Sequence, residues 1–402
     1  MTNEELENAT FCCPGQSVPV DRATHLARLA QFYPECRDCP RRDDQAGISP
    51  RIAAAWRQVP PKTPLPQLLH YEGLAADLFH QFSPVEAAQI AAAFTRSFSN
   101  PIAAPLLLAV AHSAAIDQAE AMVNVWRRAG FDVELATDPT CAEVAWTIDQ
   151  RKLDGGILLS TPSGDLRQIE LTMFGPGGTP FASEELARLE RQLQTPKPLS
   201  PAHRQGTLAE IDMSSPHLER FAPYHRARRP LRLVVQSPSR GSLRQLQQLI
   251  ARSNCELFVL PSGGDWSVRL AAAIRQHRGH FGVWIDGSGE SIEVFEERGY
   301  RVLQPRLSKL LIEEAVAWEN APLRVASPPP LEVPHDAVHF PTAAGRGAMF
   351  AAIRQYDCQL GIEPSGRYWW RNQLPTSDAL GVVTLLLTRL SRDDRSLSSQ
   401  LI

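Results

Sequence analysis

From residue 83 onward, apolar positions switch repeatedly between the spacing of a helix face and the short continuous runs of a buried strand. SPVEAAQIAAAFTRSF (83–98) predicts a helix with Ser83 as N-cap, Pro84 in the first turn and Glu86 closing a capping box. LLLAVA (106–111) predicts a buried strand. IDQAEAMVNVWRRAG (116–130) predicts a helix stopped by Gly130, because glycine accepts the left-handed turn after a last helical residue. Strand (131–136), helix (141–153), strand (155–160) and helix (183–194) continue the alternation. A second run begins near residue 205, with strands at 231–237, 255–261 and 281–286 and helices at 242–253 and 266–277. A third begins near residue 303, with helices at 306–318, 347–357 and 377–392. Such alternation predicts α/β layers with mixed or mostly parallel sheets.

Residues 1–65 lack this pattern. RATHLARLAQF (22–32) and RIAAAWRQ (51–58) predict two short helices, set among FCCPG (11–15) and YPECRDCPRR (33–42). Proline clusters at 59–66, 195–201 and 327–334 cannot continue a helix or a central strand, so they mark linkers or long loops. The expected organisation is an N-terminal cysteine-bearing segment, 1–65, followed by α/β domains over 66–200, 201–303 and 304–402.

The chain has 402 residues, and its net charge of -3 excludes a strongly basic nucleic-acid binder by bulk electrostatics. The local basic run HRARRPLR (225–232) reads as an exposed junction. MTNEELENAT lacks the basic and apolar regions of a signal peptide. PIAAPLLLAVAHSAAI (101–116), broken by Pro and His, is a core strand with its flanks and not a membrane span. The expectation is a soluble, cytoplasmic chain without a nucleic-acid or membrane partner.

Of seven cysteines, four lie in the first 39 residues. Cys36-x-x-Cys39 has a spacing that lets two thiolates face one ion, and Cys12 and Cys13 could complete a zinc site, with His25 replacing one of that vicinal pair. Zinc would staple a segment too small for its own core. An iron–sulfur cluster and unligated reduced thiols are the alternatives. Cys141, Cys255 and Cys358 lie beside apolar helix or strand positions and read as core.

Four stretches share a further pattern: YEGLAADLFHQFSPVEAAQIAAAF (71–94), KLDGGILLSTPSGDLRQIELTMFGPGGTPFASEE (152–185), GHFGVWIDGSGESIEVFEERGYRVL (279–303) and YDCQLGIEPSGRYWW (356–370). In this order they resemble the opening, the active-site segment, the metal loop with its hairpin, and the sugar-reading motif of the α-D-phosphohexomutases, the phosphomannomutase and phosphoglucomutase family. The resemblance runs from about residue 70 to the end. It implies tandem phosphohexomutase-type α/β domains with mixed sheets and a phosphoserine that donates to the sugar. It also implies a Mg²⁺ held by three aspartates against the charge of transfer, and a Glu and Ser that read sugar hydroxyls. A fourth domain that clamps the second phosphate would follow SRDDRSLSSQLI (391–402), where the sequence ends, so the resemblance implies three such domains with the fourth missing.

Carried over residue by residue, the family serine falls on Pro162, which has no hydroxyl; Ser163 is adjacent, with Ser160 and Thr161 close by. The three metal aspartates become Asp286, Ser288 and Glu290, and the arginine that ends their loop becomes Ser291. The arginine of the opening motif is Ala75, and AVAHSAA (109–115) stands where the family has an arginine-bearing loop; its His112 reads as half-buried. Glu363 and Ser365 keep the sugar-reading positions, with Arg367 in place of a histidine. A tight turn through Pro364 and Gly366 and a retained hydroxyl-reading pair both account for that motif. These substitutions predict a relative that has lost phosphoryl transfer, binds Mg²⁺ weakly or not at all, and acts by binding a phosphosugar or a protein partner. The alternative is an active, divergent phosphomannomutase or phosphoglucomutase with Ser163 as nucleophile and Asp286 and Glu290 on Mg²⁺.

Overall fold

The structure is a computed structural model that describes residues 13, 18–33, 36–37, 39, 41–58, 62–100, 102–213, 217–221, 229–317, 322–371, 374 and 376–401. Cys12 and residues 225–228 of the basic run lie outside them. The chain divides into two compact units, residues 1–64 and 65–402.

In the first unit, helix Arg22–Ala30 starts where the Asp21 side chain accepts the Thr24 N–H at 2.7 Å, and a second helix covers Pro50–Gln58. Its core is small: Leu29, Cys36 and Trp56, with the Trp56 indole N–H donating to the Leu29 carbonyl at 2.8 Å.

The second unit holds three sheets among the described residues. The first contains β1 (Leu69–His70), β2 (Gly73–Asp77), β3 (Leu106–Val110), β4 (Val133–Thr137), β5 (Gly155–Ser160), β6 (Gln168–Phe174) and β7 (Leu208–Glu210), in the order β1-β2-β6-β5-β3-β4-β7. β8 (Arg232–Gln236), β9 (Glu256–Leu260), β10 (Phe281–Ile285) and β11 (Ile292–Glu296) form the second, in the order β11-β10-β8-β9. The third is built from β12 (Leu323–Ser327), β13 (Ala337–Pro341), β14 (Leu360–Ile362), β15 (Tyr368–Trp370) and β16 (Thr376–Ser377), in the order β13-β12-β14-β15-β16.

One plan recurs in all three. The second strand of each set lies beside the first, the third lies on the first's other side, all parallel, and a fourth returns antiparallel to the third. Parallel strands buried on both faces explain the continuous apolar runs, such as GGILLS, in which every residue of β5 is buried.

The predicted helices form within a few residues of their expected ends. Helix Pro84–Arg96 has the Ser83/Glu86 capping box, and Gly130, at φ 90°, follows helix Ile116–Arg128. The next helix, Cys141–Arg151, ends instead on Lys152 in the left-handed conformation, φ 56°. The second and third sheets share one apolar cluster: Leu233 and Val283 from one and Val325 and Leu360 from the other. Both pack with Val383, Leu386 and Leu387 of helix Ala379–Arg392. No helix among the described residues is long and apolar enough to cross a membrane.

Candidate functional site

Three hairpin loops occupy equivalent places in the three sheets, each leaving the C-terminal end of the third strand of the shared plan: 161–167 after β5, 286–291 after β10 and 363–367 after β14. Open α/β sheets expose ligand sites at this edge. The middle loop is the hub. Gly287 N–H donates to the Pro162 carbonyl at 3.0 Å, Cys141 N–H to the Ser288 carbonyl at 2.8 Å, and Ala379 N–H to the Gly289 carbonyl at 3.1 Å. Ser377 Oγ donates to the Glu290 carbonyl at 3.1 Å, and Ile292 N–H to the Gly366 carbonyl at 3.0 Å. A Cβ at Gly287 would stand 1.9 Å from the Thr161 carbonyl oxygen, so this approach requires glycine.

The two acids of that loop and the serine between them are buried, Asp286 at 7%, Ser288 at 0% and Glu290 at 2% exposure. Ser288 Oγ lies 2.8 Å from Asp286 Oδ2 and 3.2 Å from Glu290 Oε2, and Glu290 N–H donates to Asp286 Oδ1 at 2.9 Å. Burial, with the Glu290 charge next in weight, pushes the Asp286 carboxyl up to about 7. Burial is the largest influence on Glu290 and pushes it the same way, but the Arg346 guanidinium, Arg367 and the Ser288 hydroxyl together hold Glu290 below its ordinary value.

Arg346, the first residue of helix Arg346–Gln355, reaches this loop from the third sheet's segment. Its Nε is 2.9 Å from each Glu290 carboxylate oxygen, and Nη2 is 2.5 Å from Oε2. Nη1 donates to Glu170 on β6 at 3.0 Å and lies 3.6 Å from Glu72 Oε2. A second guanidinium, Arg367, binds Glu363 Oε2 through Nε at 2.7 Å and Nη2 at 2.6 Å, and Glu72 at 2.6 Å. Glu363 also accepts Gly345 N–H at 2.7 Å and Ser365 Oγ at 2.6 Å. Glu72 accepts Arg346 N–H at 3.1 Å. Glu363 and Glu72 thus take up backbone donors at one helix N-terminus, where anions are favoured.

The remaining expected positions are as follows. Pro162 is tied by its carbonyl to the hub, while Ser163 is exposed and its Oγ accepts Asp165 N–H at 3.2 Å. Ser160 and Thr161 are buried. Ala75, on β2, pairs across the ladder with Glu170. His112 is fully buried, not half-buried: Nδ1 accepts Ala114 N–H at 3.2 Å, and Nε2 lies 3.2 Å from the Gln168 carbonyl. The turn of AVAHSAA folds onto β6, a strand that the sequence pattern does not announce, and this encloses the ring. In the N-terminal unit, Cys13, Cys36, Cys39 and His25 are buried. Arg28 Nη1 donates to Cys13 Sγ at 3.1 Å. Among the described residues no group of three His, Cys, Asp or Glu is arranged to hold a metal ion. Cys141 and Cys358 are core residues and Cys255 is half-buried.

The loop 286–291 does not fit Mg²⁺. That ion requires short, near-octahedral oxygen ligands. Both Glu290 oxygens already face guanidinium nitrogens, and those of Asp286 face a hydroxyl and an amide N–H. Glu72, Glu170 and Arg346, which complete the cluster, escape sequence reasoning. They lie 98 and 176 positions apart, and GRGAMF, which carries Arg346, matches no motif. Glu72 has a signal, since it stands in the opening stretch just before Gly73.

The chain has a phosphohexomutase fold: it superposes on a phosphoglucomutase/phosphomannomutase family protein from Burkholderia thailandensis with a TM-score of 0.72 and 16% identity, over 83% of this chain and 79% of that one. In sequence it is a relative of the α-D-phosphohexomutases. It is 21% identical to the phosphoglucosamine mutase of Paraburkholderia phymatum over 303 residues, 70% of this chain and 67% of that protein. The matched span is about two thirds of the length of such curated relatives, 67% and 65% in two of them. An N-acetylphosphoglucosamine mutase from Aspergillus fumigatus, in complex with GlcNAc-6P and magnesium, matches with a TM-score of 0.51 and 10% identity, over 88% of this chain and 83% of that one. No family model matches the chain.

Proposed function

We propose that this chain has lost phosphoryl transfer and works by binding, with a phosphosugar as ligand and a protein partner as the other candidate. The observation that carries this reading is the loop after β5. Transfer through the enzyme needs a hydroxyl in line with the phosphoryl group and positive charge on its oxygens. Pro162 supplies no hydroxyl, and its backbone is fastened to Gly287. The exposed Ser163 hydroxyl is turned back onto its own loop at Asp165. Glu363, Ser365 and Arg367 stay together, the Ser365 hydroxyl bonded to both of the others on an exposed residue, which supports recognition of a sugar hydroxyl or phosphate. The same reading assigns each sheet to one domain, with the first boundary beyond residue 210 rather than at 200, because β7 (Leu208–Glu210) pairs with β4 of the first sheet, and the second near residue 303.

A coupled mutase assay on folded, metal-quantified protein tests the reading, with glucose, mannose and glucosamine 1-phosphates, Mg²⁺ and a bisphosphate primer. The expected result is no turnover above background, together with saturable phosphosugar binding by calorimetry. Turnover that disappears in Ser163→Ala overturns the proposal in favour of an active mutase. Absence of both turnover and binding shifts the task to a protein partner.

For the N-terminal unit we propose a structural zinc on the Cys36-x-x-Cys39 pair, with the further ligands drawn in from Cys12, Cys13 or His25, since no three of the described candidates are gathered to hold an ion. The burial of Cys13, Cys36, Cys39 and His25 in so small a unit supports it. One equivalent of zinc in the purified protein, lost in Cys36→Ser, is the expected outcome. Iron with visible absorbance, or no metal at all, rejects it.

A further inference from the structure

We infer that Arg346 is a built-in counter-ion: its guanidinium takes the place of a divalent cation on the acidic loop and makes the site independent of metal. The inference stands whether or not the chain turns over a phosphosugar. It rests on three features. The first is the donor geometry. One guanidinium meets both oxygens of Glu290 at 2.5–2.9 Å and Glu170 at 3.0 Å, so it bridges two carboxylates from different sheets as a cation would. The second is burial. Arg346 is 5% exposed and Glu290 2%, and charges so far from water persist only when paired. An ion entering on Glu290 would have to displace the guanidinium and leave it buried beside Glu72 and Glu170 alone.

The third is rigidity. Helix Arg346–Gln355 begins against its neighbours with no slack. A Cβ at Gly345 would stand 3.0 Å from the Tyr71 ring, and one at Gly347 2.9 Å from Ala182 Cβ. The Arg346 amide is held by Glu72, and its side chain therefore starts from a fixed point. Charge in the cluster is shared consistently: Arg346 serves Glu290 and Glu170, Arg367 serves Glu363 and Glu72, and two helix N-terminal amides serve Glu363 and Glu72. Ala75 fits the same scheme. It stands across the ladder from Glu170 without a cation of its own, and Arg346 fills that need from another segment.

The test is a Mn²⁺ titration of the full chain followed by electron paramagnetic resonance, with thermal unfolding with and without added Mg²⁺. For the wild type we expect no stoichiometric Mn²⁺ at the loop and the same midpoint with and without added Mg²⁺. Arg346→Met, which keeps the stem and removes the charge, should lower the midpoint, and millimolar Mg²⁺ should recover part of the loss. If Arg346→Met does not fold, Arg346→Lys, which keeps the charge, should fold with a midpoint below the wild type and stay indifferent to Mg²⁺. One equivalent of Mn²⁺ on the wild type that is lost in Glu290→Gln overturns the inference. So does an Arg346→Met protein with the wild-type midpoint, a folded one indifferent to Mg²⁺, or an Arg346→Lys protein that needs Mg²⁺ to fold.

Discussion

Single residues in this protein act mostly through what they hold in place. Gly287 lets the backbone of one loop touch that of another, and its N–H is spent on Pro162. Gly287→Ala must push these backbones apart. The expected cost is about 1–3 kcal/mol, as for an overpacked core site, measurable by urea unfolding. His112 offers a pH test. Its Nδ1 accepts an amide hydrogen, so the ring is neutral in the folded state, and burial lowers its pKa below 6.5. Below that value the unfolded chain takes up a proton that the folded ring refuses. The unfolded state then binds more protons, and stability falls as pH drops below about 6.5. Replacing His112 by Asn should flatten the stability profile between pH 5 and 7, a window on the order of its ordinary titration range. Imidazole resonances that titrate at the ordinary histidine value would contradict this.

At the level of elements, start signals in the sequence are read directly by the backbone. Ser83 N–H donates to Glu86 Oε2 at 2.9 Å, and the Ser83 hydroxyl accepts the Glu86 N–H as well as that of Val85, the latter at 3.2 Å, so both halves of the box exist. Ser83→Ala should cost about 1 kcal/mol of stability, the usual value of a lost N-cap, by denaturant titration. The repeated strand plan is an element-level result too. Its third copy differs: among the described residues no helix joins β12 to β13, and SPPPLEVP (327–334) runs there instead. Prolines without an N–H cannot sustain a helix at that point.

For the second unit as a whole, the decisive feature is a core shared by two sheets. Helix Ala379–Arg392 is buried at every position from Ala379 to Thr388 and packs against strands of both. A helix apolar on all sides belongs inside a protein, not on its surface. Leu386→Ala should therefore cost about 2–5 kcal/mol through the cavity it leaves. It should also lower amide protection in β8, β10, β12 and β14 together. Loss confined to one of the two sheets would show that they unfold separately.

The sequence alone determined the long elements of the second unit, their α/β class and the three loops that matter. Helix periodicity, capping residues and buried apolar runs are local, and neighbouring residues suffice to specify them. The resemblance of three loops placed Pro162, Asp286, Ser288, Glu290, Glu363, Ser365 and Arg367. β14 and β15 have three residues each and β16 two, too short for an alternating pattern to register. Only tertiary structure could bring Arg346 to Glu290, 56 positions away, and to Glu170, 176 positions away. Charge pairing depends on distance in space, and a guanidinium far along the chain leaves no trace in the motif that it neutralises.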